Sequence, residues 1–98
     1  MIRVRVVPEA EAEMTAAALW YESKRPGLGA EYLASIDGAL ERIADGPLAF
    51  AVWRPGAAYR QCVVERFPFV VFFTASPTAI LVLAVAHAKR RPGYWLDR

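Results

Sequence analysis

Residues 67–88 read Phe67-Pro68-Phe69-Val70-Val71-Phe72-Phe73-Thr74-Ala75-Ser76-Pro77-Thr78-Ala79-Ile80-Leu81-Val82-Leu83-Ala84-Val85-Ala86-His87-Ala88. No Asp, Glu, Lys or Arg interrupts them, and a run of this length could cross a bilayer as one helix of ~20 residues. The side chains argue otherwise. Pro68 stands at the start and Ser76-Pro77 breaks the middle, where a helix would lose hydrogen bonds. On either side of the break the residues are β-branched or aromatic: Val70, Val71, Phe72 and Phe73, then Ile80, Val82 and Val85. Two buried strands joined by a short turn satisfy this pattern, Phe69–Thr74 and Ala79–Ala86. Both are apolar on both faces, so one face needs a layer of helices and the other is open to a partner.

Working outward toward the N-terminus, a third strand of the same meander is expected from about Tyr59 to Glu65, joined by the short Arg66-Phe67-Pro68 link. Leu48 to Ala58, with Pro55 and Gly56, reads as irregular. Before it come two helices. In the first, Pro8 suits the opening position, Glu9, Glu11 and Glu13 favour the positive end of the dipole, and Ala10, Met14, Ala17 and Tyr21 form one face. Pro26 sets its end near Lys24 or Arg25. In the second helix Leu33, Ile36, Leu40 and Ile43 make the apolar stripe, and Asp45-Gly46-Pro47 stops it. The short Pro26-Gly27-Leu28-Gly29 link makes the pair an antiparallel hairpin. Trp20 and Tyr21 read as core or inter-helix packing. Ahead of the helices, Ile2, Val4 and Val6 alternate with Arg3 and Arg5, a half-buried strand placed beside the meander. The expected architecture is a single α+β, two-layer domain spanning residues 1–98, in the order β-α-α-β-β-β with a basic C-terminal tail.

The chain has 98 residues, 56% of them hydrophobic, and a formal charge of +2. That total hides a polarity. Residues 1–50 carry five basic and eight acidic side chains, net −3, and residues 51–98 carry seven and two, net +5. An asymmetry of this kind points to an anionic partner for the second half. Cys62 is the single cysteine, which excludes an intramolecular disulfide and a multi-cysteine zinc site. Its surroundings read as a buried small hydrophobe. His87 is the single histidine and has no second ligand at useful spacing, so a structural hydrogen bond is expected of it. No metal or cofactor is implied. With no apolar segment of signal-peptide length at the N-terminus, the chain reads as cytoplasmic, with no membrane partner.

Several short elements have a familiar order. They are the first strand ending at Pro8 with acidic residues after it, Leu19-Trp20-Tyr21, Tyr59-Arg60, Glu65-Arg66-Phe67-Pro68-Phe69, and His87 through Arg90-Arg91-Pro92-Gly93-Tyr94-Trp95. In these the sequence resembles the RelE/ParE superfamily of small bacterial toxins from type II toxin–antitoxin systems, and most of all the ParE, or plasmid stabilisation, branch. Members commonly open the third strand with Arg-Phe-Pro-Tyr/Phe and end with His-x-x-Arg-x-x-x-Tyr-Trp, spacings that Arg66 to Phe69 and His87, Arg90, Tyr94 and Trp95 keep. The resemblance implies a toxin neutralised by a cognate antitoxin protein, which itself carries the DNA-binding domain, so that the toxin meets DNA only indirectly. ParE-like members poison DNA gyrase. RelE-like members act with the ribosome to cut mRNA.

Cutting RNA by 2′-hydroxyl attack needs a base, cations for the phosphate and an acid for the leaving oxygen. The candidates here are Arg60, Lys89, Arg90 and Tyr94. The strand Phe69–Thr74 carries no charge, and Phe69 stands where a RelE-like nuclease is expected to have Arg. This partial set weakens the endonuclease reading and favours a ParE-like inhibitor that binds rather than catalyses. Its expected partner-binding residues are Arg60, Arg66, His87, Lys89, Arg90, Arg91, Tyr94 and Trp95. Arg60 also reads as a cation snorkelling to the surface, Arg66 as a brace for its turn, and Lys89-Arg90-Arg91 as a solvated run.

Overall fold

The computed structural model describes residues 3–98. It contains β1 (Arg3–Val6), α1 (Pro8–Lys24), α2 (Leu28–Asp45), a single 3-10 turn (Pro47–Ala49), β2 (Arg60–Val63), β3 (Phe69–Ala75) and β4 (Ala79–His87). The order is the expected β-α-α-β-β-β. Ile2, the outermost residue of the expected first strand, lies outside the described residues. Residues 67–88 form a strand hairpin, and among the described residues no helix is long and apolar enough to cross a membrane.

One four-stranded sheet has the order β1-β4-β3-β2. The meander is antiparallel throughout, while β1 lies parallel to β4, pairing Arg3–Val6 with Ala79–Val82. β1 is short. β4 runs on past it, so among the described residues the β1-side edge of β4 beyond Val82 has no strand beside it.

The sheet is apolar on both faces, as the sequence of β3 and β4 requires. On the helix side Val4, Val6, Cys62, Phe69, Val71, Phe73, Ile80, Val82 and Val85 pack against Ala10, Tyr32, Ile36 and Ile43. On the other side Phe72, Ala84 and Ala86 pack against Trp95, with Trp53, Tyr59 and Tyr94 around them. In β3 the two sets alternate regularly. In β4 the phase flips: Ile80 and Val82 face the helices, but so does Val85. The pairing explains this, because Phe73 lies opposite Val82 and Phe72 opposite Ala84, leaving Leu83 as an extra residue. Such a bulge shifts every later side chain to the other face.

Four expectations change. The outer face, which the sequence left open to a partner, is covered by the chain's own tail together with Trp53 and Tyr59. The buried stripe of α2 is Gly29, Tyr32, Ile36, Ala39 and Ile43, and Leu33 turns outward. The reason is the contact with α1, where Gly29 fits so closely that a Cβ there would lie 2.6 Å from the Ala18 carbonyl oxygen. That close approach fixes the rotation of α2 and places Tyr32 among Tyr21, Phe67 and Phe69. Trp20, expected in the core or between the helices, is 57% exposed, and Leu19 beside it is 67% exposed. The expected strand from Tyr59 to Glu65 shortens to Arg60–Val63 because Arg66, at φ 71°, turns the chain into β3.

α2 lacks a capping side chain at its own N-terminus, where Gly27 takes a left-handed conformation at φ 90°. The cap comes from α1. Glu22 accepts hydrogen bonds from the Gly27 N–H at 3.0 Å and the Gly29 N–H at 3.0 Å. A carboxylate at this end of a helix satisfies free donors and complements the dipole.

Candidate partner-binding surface

The tail begins where β4 ends. His87 Nδ1 accepts a hydrogen bond from the Lys89 N–H at 3.1 Å, and its ring lies edge-on to Phe69 with centroids 5.2 Å apart. This is the structural role expected of a lone histidine, and it starts the turn that carries Lys89, Arg90 and Arg91 into solvent. Gly93, at φ 82°, reverses the chain. Trp95 then drops onto the outer face, stacked on Phe72 at 4.7 Å and flanked edge-on by Tyr59 at 4.7 Å and Trp53 at 5.0 Å. At 1% exposure, Trp95 offers no surface to a partner in this conformation. It is the apolar anchor that places the cations. A cavity of about 200 Å³ opens between the tail and the sheet, lined by Gln61, Val70, Arg90, Arg91 and Tyr94 among others.

Tyr94 is held from several sides. Its hydroxyl donates a short hydrogen bond to Glu13 Oε2. The guanidiniums of Arg90 and Arg98 lie 4.0 and 5.1 Å from its ring centroid, distances at which cations favour an aromatic face. Burial pushes the phenol's pKa well up, and its hydrogen bond to the Glu13 carboxylate adds to the rise. The sequence reading treated Glu13 only as a helix-dipole charge, whereas here it is the acceptor for the Tyr94 hydroxyl. A signal was present. Position 13 lies three residues after Ala10 and four before Ala17, on the apolar stripe of α1, where a carboxylate needs a partner.

Arg60 is elsewhere. In β2 it pairs with Phe73, and Cys62 pairs with Val71, so both face the helices. Its Nη1 donates to the Phe50 carbonyl at 2.6 Å and ties the irregular segment to the sheet. The tail occupies the opposite face. The structure thus brings Arg90 and Tyr94 together, with Lys89 on the same turn, and separates them from Arg60 by the thickness of the sheet. Arg66 stands at the β2–β3 turn, donating to Glu31 Oε1 at 2.8 Å. That bond first, and then Arg25, holds the Glu31 carboxyl below its ordinary pKa. Burial pushes the Cys62 thiol up, consistent with an unreactive core position.

A second feature lies on the helix side. Ala17, Trp20, Tyr21, Pro68, Phe69 and His87 line an apolar groove of about 430 Å³. The exposed Trp20 forms one wall, with Lys24 Nζ 4.9 Å from its ring centroid. His87 belongs to both features, so the groove and the tail are neighbours across the end of β4.

Among the described residues no three His, Cys, Asp or Glu side chains gather as metal ligands would. The surface offers exposed guanidiniums and an ammonium on one turn, beside an apolar groove with a cationic rim.

A family model described as the ParE toxin of type II toxin–antitoxin systems, parDE, matches residues 4–92. Among solved structures, the chromosomal ParDE toxin–antitoxin system from P. aeruginosa superimposes with a TM-score of 0.79 at 16% sequence identity. The match covers 91% of this chain and 98% of that one. No curated protein sequence matches the chain.

Proposed function

The chain belongs to the ParE toxin family of type II toxin–antitoxin systems, and from that premise we propose that it acts by binding, as an inhibitor of DNA gyrase neutralised by a cognate antitoxin protein. The observation that carries this reading is the separation of the candidate cutting residues. Arg60 hydrogen-bonds on the helix side of the sheet, while Arg90 and Tyr94 sit on the other side. The Tyr94 hydroxyl is committed to Glu13, and its raised pKa suits neither a base nor a readily shared acid at neutral pH. A mobile phosphodiester could not meet all four groups at once.

What remains is a polar binding surface. Arg66, His87, Lys89, Arg90, Arg91 and Tyr94 are its proposed contact residues, with Trp95 beneath them as the anchor and Arg60 bracing the sheet from behind. The antitoxin is the proposed occupant of the adjoining groove. Its chemistry would be that of an acidic segment with apolar side chains, folding against Trp20, Tyr21 and Phe69 while its carboxylates meet Lys24 and the tail. The protein would reach DNA only through that partner, and its place of action would be the cytoplasm.

The deciding experiment uses the purified chain in two assays, gyrase supercoiling and ribosome-dependent mRNA cleavage. Inhibition of supercoiling that is relieved by the antitoxin, with mRNA left intact, is the expected result. Unchanged gyrase activity at saturating protein together with cut mRNA would replace this reading with that of an mRNA endonuclease.

A further inference from the structure

The edge of β4 beyond β1 is where two parts of the molecule meet. β1 ends its pairing at Val82, with a last bond from the Val7 N–H to the Val82 carbonyl at 3.0 Å. The Leu83 bulge follows at once. It leaves the Leu83 carbonyl and the Val85 N–H without a strand partner at a half-buried edge, where unpaired groups are costly. Two side chains from distant positions replace the missing strand. Glu13 Oε1 accepts from the Val85 N–H at 3.0 Å, and Arg98 Nη1 donates to the Leu83 carbonyl at 3.0 Å. The two also hold each other, with Arg98 Nη1 2.9 Å from Oε1 and Nη2 3.2 Å from Oε2. Their side chains are 14% and 16% exposed. Glu13 Oε2 further accepts from the Tyr94 hydroxyl and lies 3.9 Å from Arg90 Nη1.

The tail depends on this arrangement. Within residues 91–98 the backbone bonds are local: Tyr94 to Arg91, Leu96 to Gly93 and Arg98 to Trp95. Among the described residues, every hydrogen bond joining that segment to the rest of the fold ends on Glu13 or on the Leu83 carbonyl. The Trp95 side chain packs without a hydrogen bond, its indole nitrogen finding no acceptor. Packing alone is non-directional. The directional constraints on the tail converge on one carboxylate and the Leu83 carbonyl beside it.

We infer that Glu13 is the positioning residue of the C-terminal binding surface: it clasps Tyr94 and Arg98 around the free edge of β4 and so presents Lys89, Arg90 and Arg91 to a partner in one fixed arrangement. The inference rests on the binding reading above for its functional half, and on the geometry alone for its structural half. A surface ordered in advance loses less entropy on binding than a mobile basic segment would. The clasp also sets which cations are free. Arg98 is consumed by Glu13, whereas Lys89 and Arg91 project from the turn for a partner's carboxylates.

Amide hydrogen exchange on the purified full chain separates the two halves. In Glu13→Gln, exchange at residues 91–98 and at Val85 should quicken at least tenfold, with α2 and β3 as protected as before. The double variant Tyr94→Phe with Arg98→Met leaves Glu13 in place and should loosen residues 91–98 to the same degree. Gyrase inhibition by both variants should weaken at least tenfold. Unchanged tail exchange in both variants overturns the inference, and so does equal loss of protection across α2 and β3, which would make Glu13 a general stability residue. A loosened tail with undiminished inhibition overturns the functional half. Should the wild-type chain leave gyrase untouched, the binding reading falls, and exchange still decides the clasp.

Discussion

Replacing Gly29 with alanine should destabilise the fold, whereas the same change at Gly38, farther along the same helix, should stabilise it. In a helix interior Gly→Ala gains roughly 0.5–1 kcal/mol from reduced chain entropy and better propensity. Gly38 meets that description. A Cβ there would have nothing within 4 Å. At Gly29 the Cβ would sit 2.6 Å from the Ala18 carbonyl oxygen and 3.1 Å from Glu22 Oε1. The first obstacle is backbone and cannot rotate away, so α1 and α2 must separate. Overpacking of this kind costs about 1–3 kcal/mol. Moving Glu22 also weakens the bonds it accepts from Gly27 and Gly29, and loss of a cap costs about 1 kcal/mol more. Gly29 stands in the first turn, where propensity returns little. The net expectation is a loss of about 2–4 kcal/mol for Gly29→Ala and a gain of about 0.5–1 kcal/mol for Gly38→Ala. For a domain of this size 1 kcal/mol corresponds to about 4–8 °C in Tm. Urea unfolding of wild type and both variants, followed by circular dichroism, reads the difference as a shift in midpoint at constant slope. If Gly29→Ala proves as stable as Gly38→Ala, the close approach of the two helices is not what fixes the rotation of α2.

Other expectations are as direct. Arg66→Gly should raise stability by about 1 kcal/mol, since the left-handed φ of 71° strains any residue with a Cβ and the exposed ion pair to Glu31 returns little; thermal unfolding tests this, and a lower Tm would refute it. Trp95→Ala should cost about 3–5 kcal/mol or release the tail outright. Trp95→Phe should cost much less, because it also removes an indole N–H that is buried without an acceptor; urea midpoints of the pair decide the point. Glu31 gives a pH dependence. Its folded pKa is lowered by Arg66 and Arg25, so its contribution is fully present above the ordinary carboxylate value of 4.5 and is lost as pH falls through the folded value. The stability gap between wild type and Glu31→Gln should therefore narrow on acidification below 4.5. A gap that widens there would reverse the sign of the argument.

How far the sequence reached depended on whether the signal was local. Pro8, the acidic residues after it and Pro26 bracket α1 within a residue or so of its observed ends. The break at Ser76-Pro77 and the β-branched runs around it give the β3–β4 hairpin. Lone His87 makes the structural hydrogen bond expected of it. The stripe of α2 is half legible: Ile36 and Ile43 are core, but Leu33 is not, since two overlapping 3.6-residue stripes are available and the contact at Gly29 chooses between them. Trp20 failed for a related reason. It neighbours Tyr21, which packs against the core, and a strongly apolar side chain does not report which side of a helix it occupies.

The sequence by itself determined the element order, the need for a two-faced sheet, and the separation of an acidic helical half from a basic sheet and tail. Those properties reside in periodicity, breakers and charge, which act over a few residues. Only the tertiary structure decided that the outer face is closed by Trp95 and not left open, that β4 changes phase at Leu83, and that Arg60 lies across the sheet from Arg90 and Tyr94. It alone joined Glu13 to Tyr94 and Arg98. Each of these follows from groups far apart in the chain being forced together, where a strand edge without a neighbour must find its hydrogen bonds from whatever side chains the packing delivers.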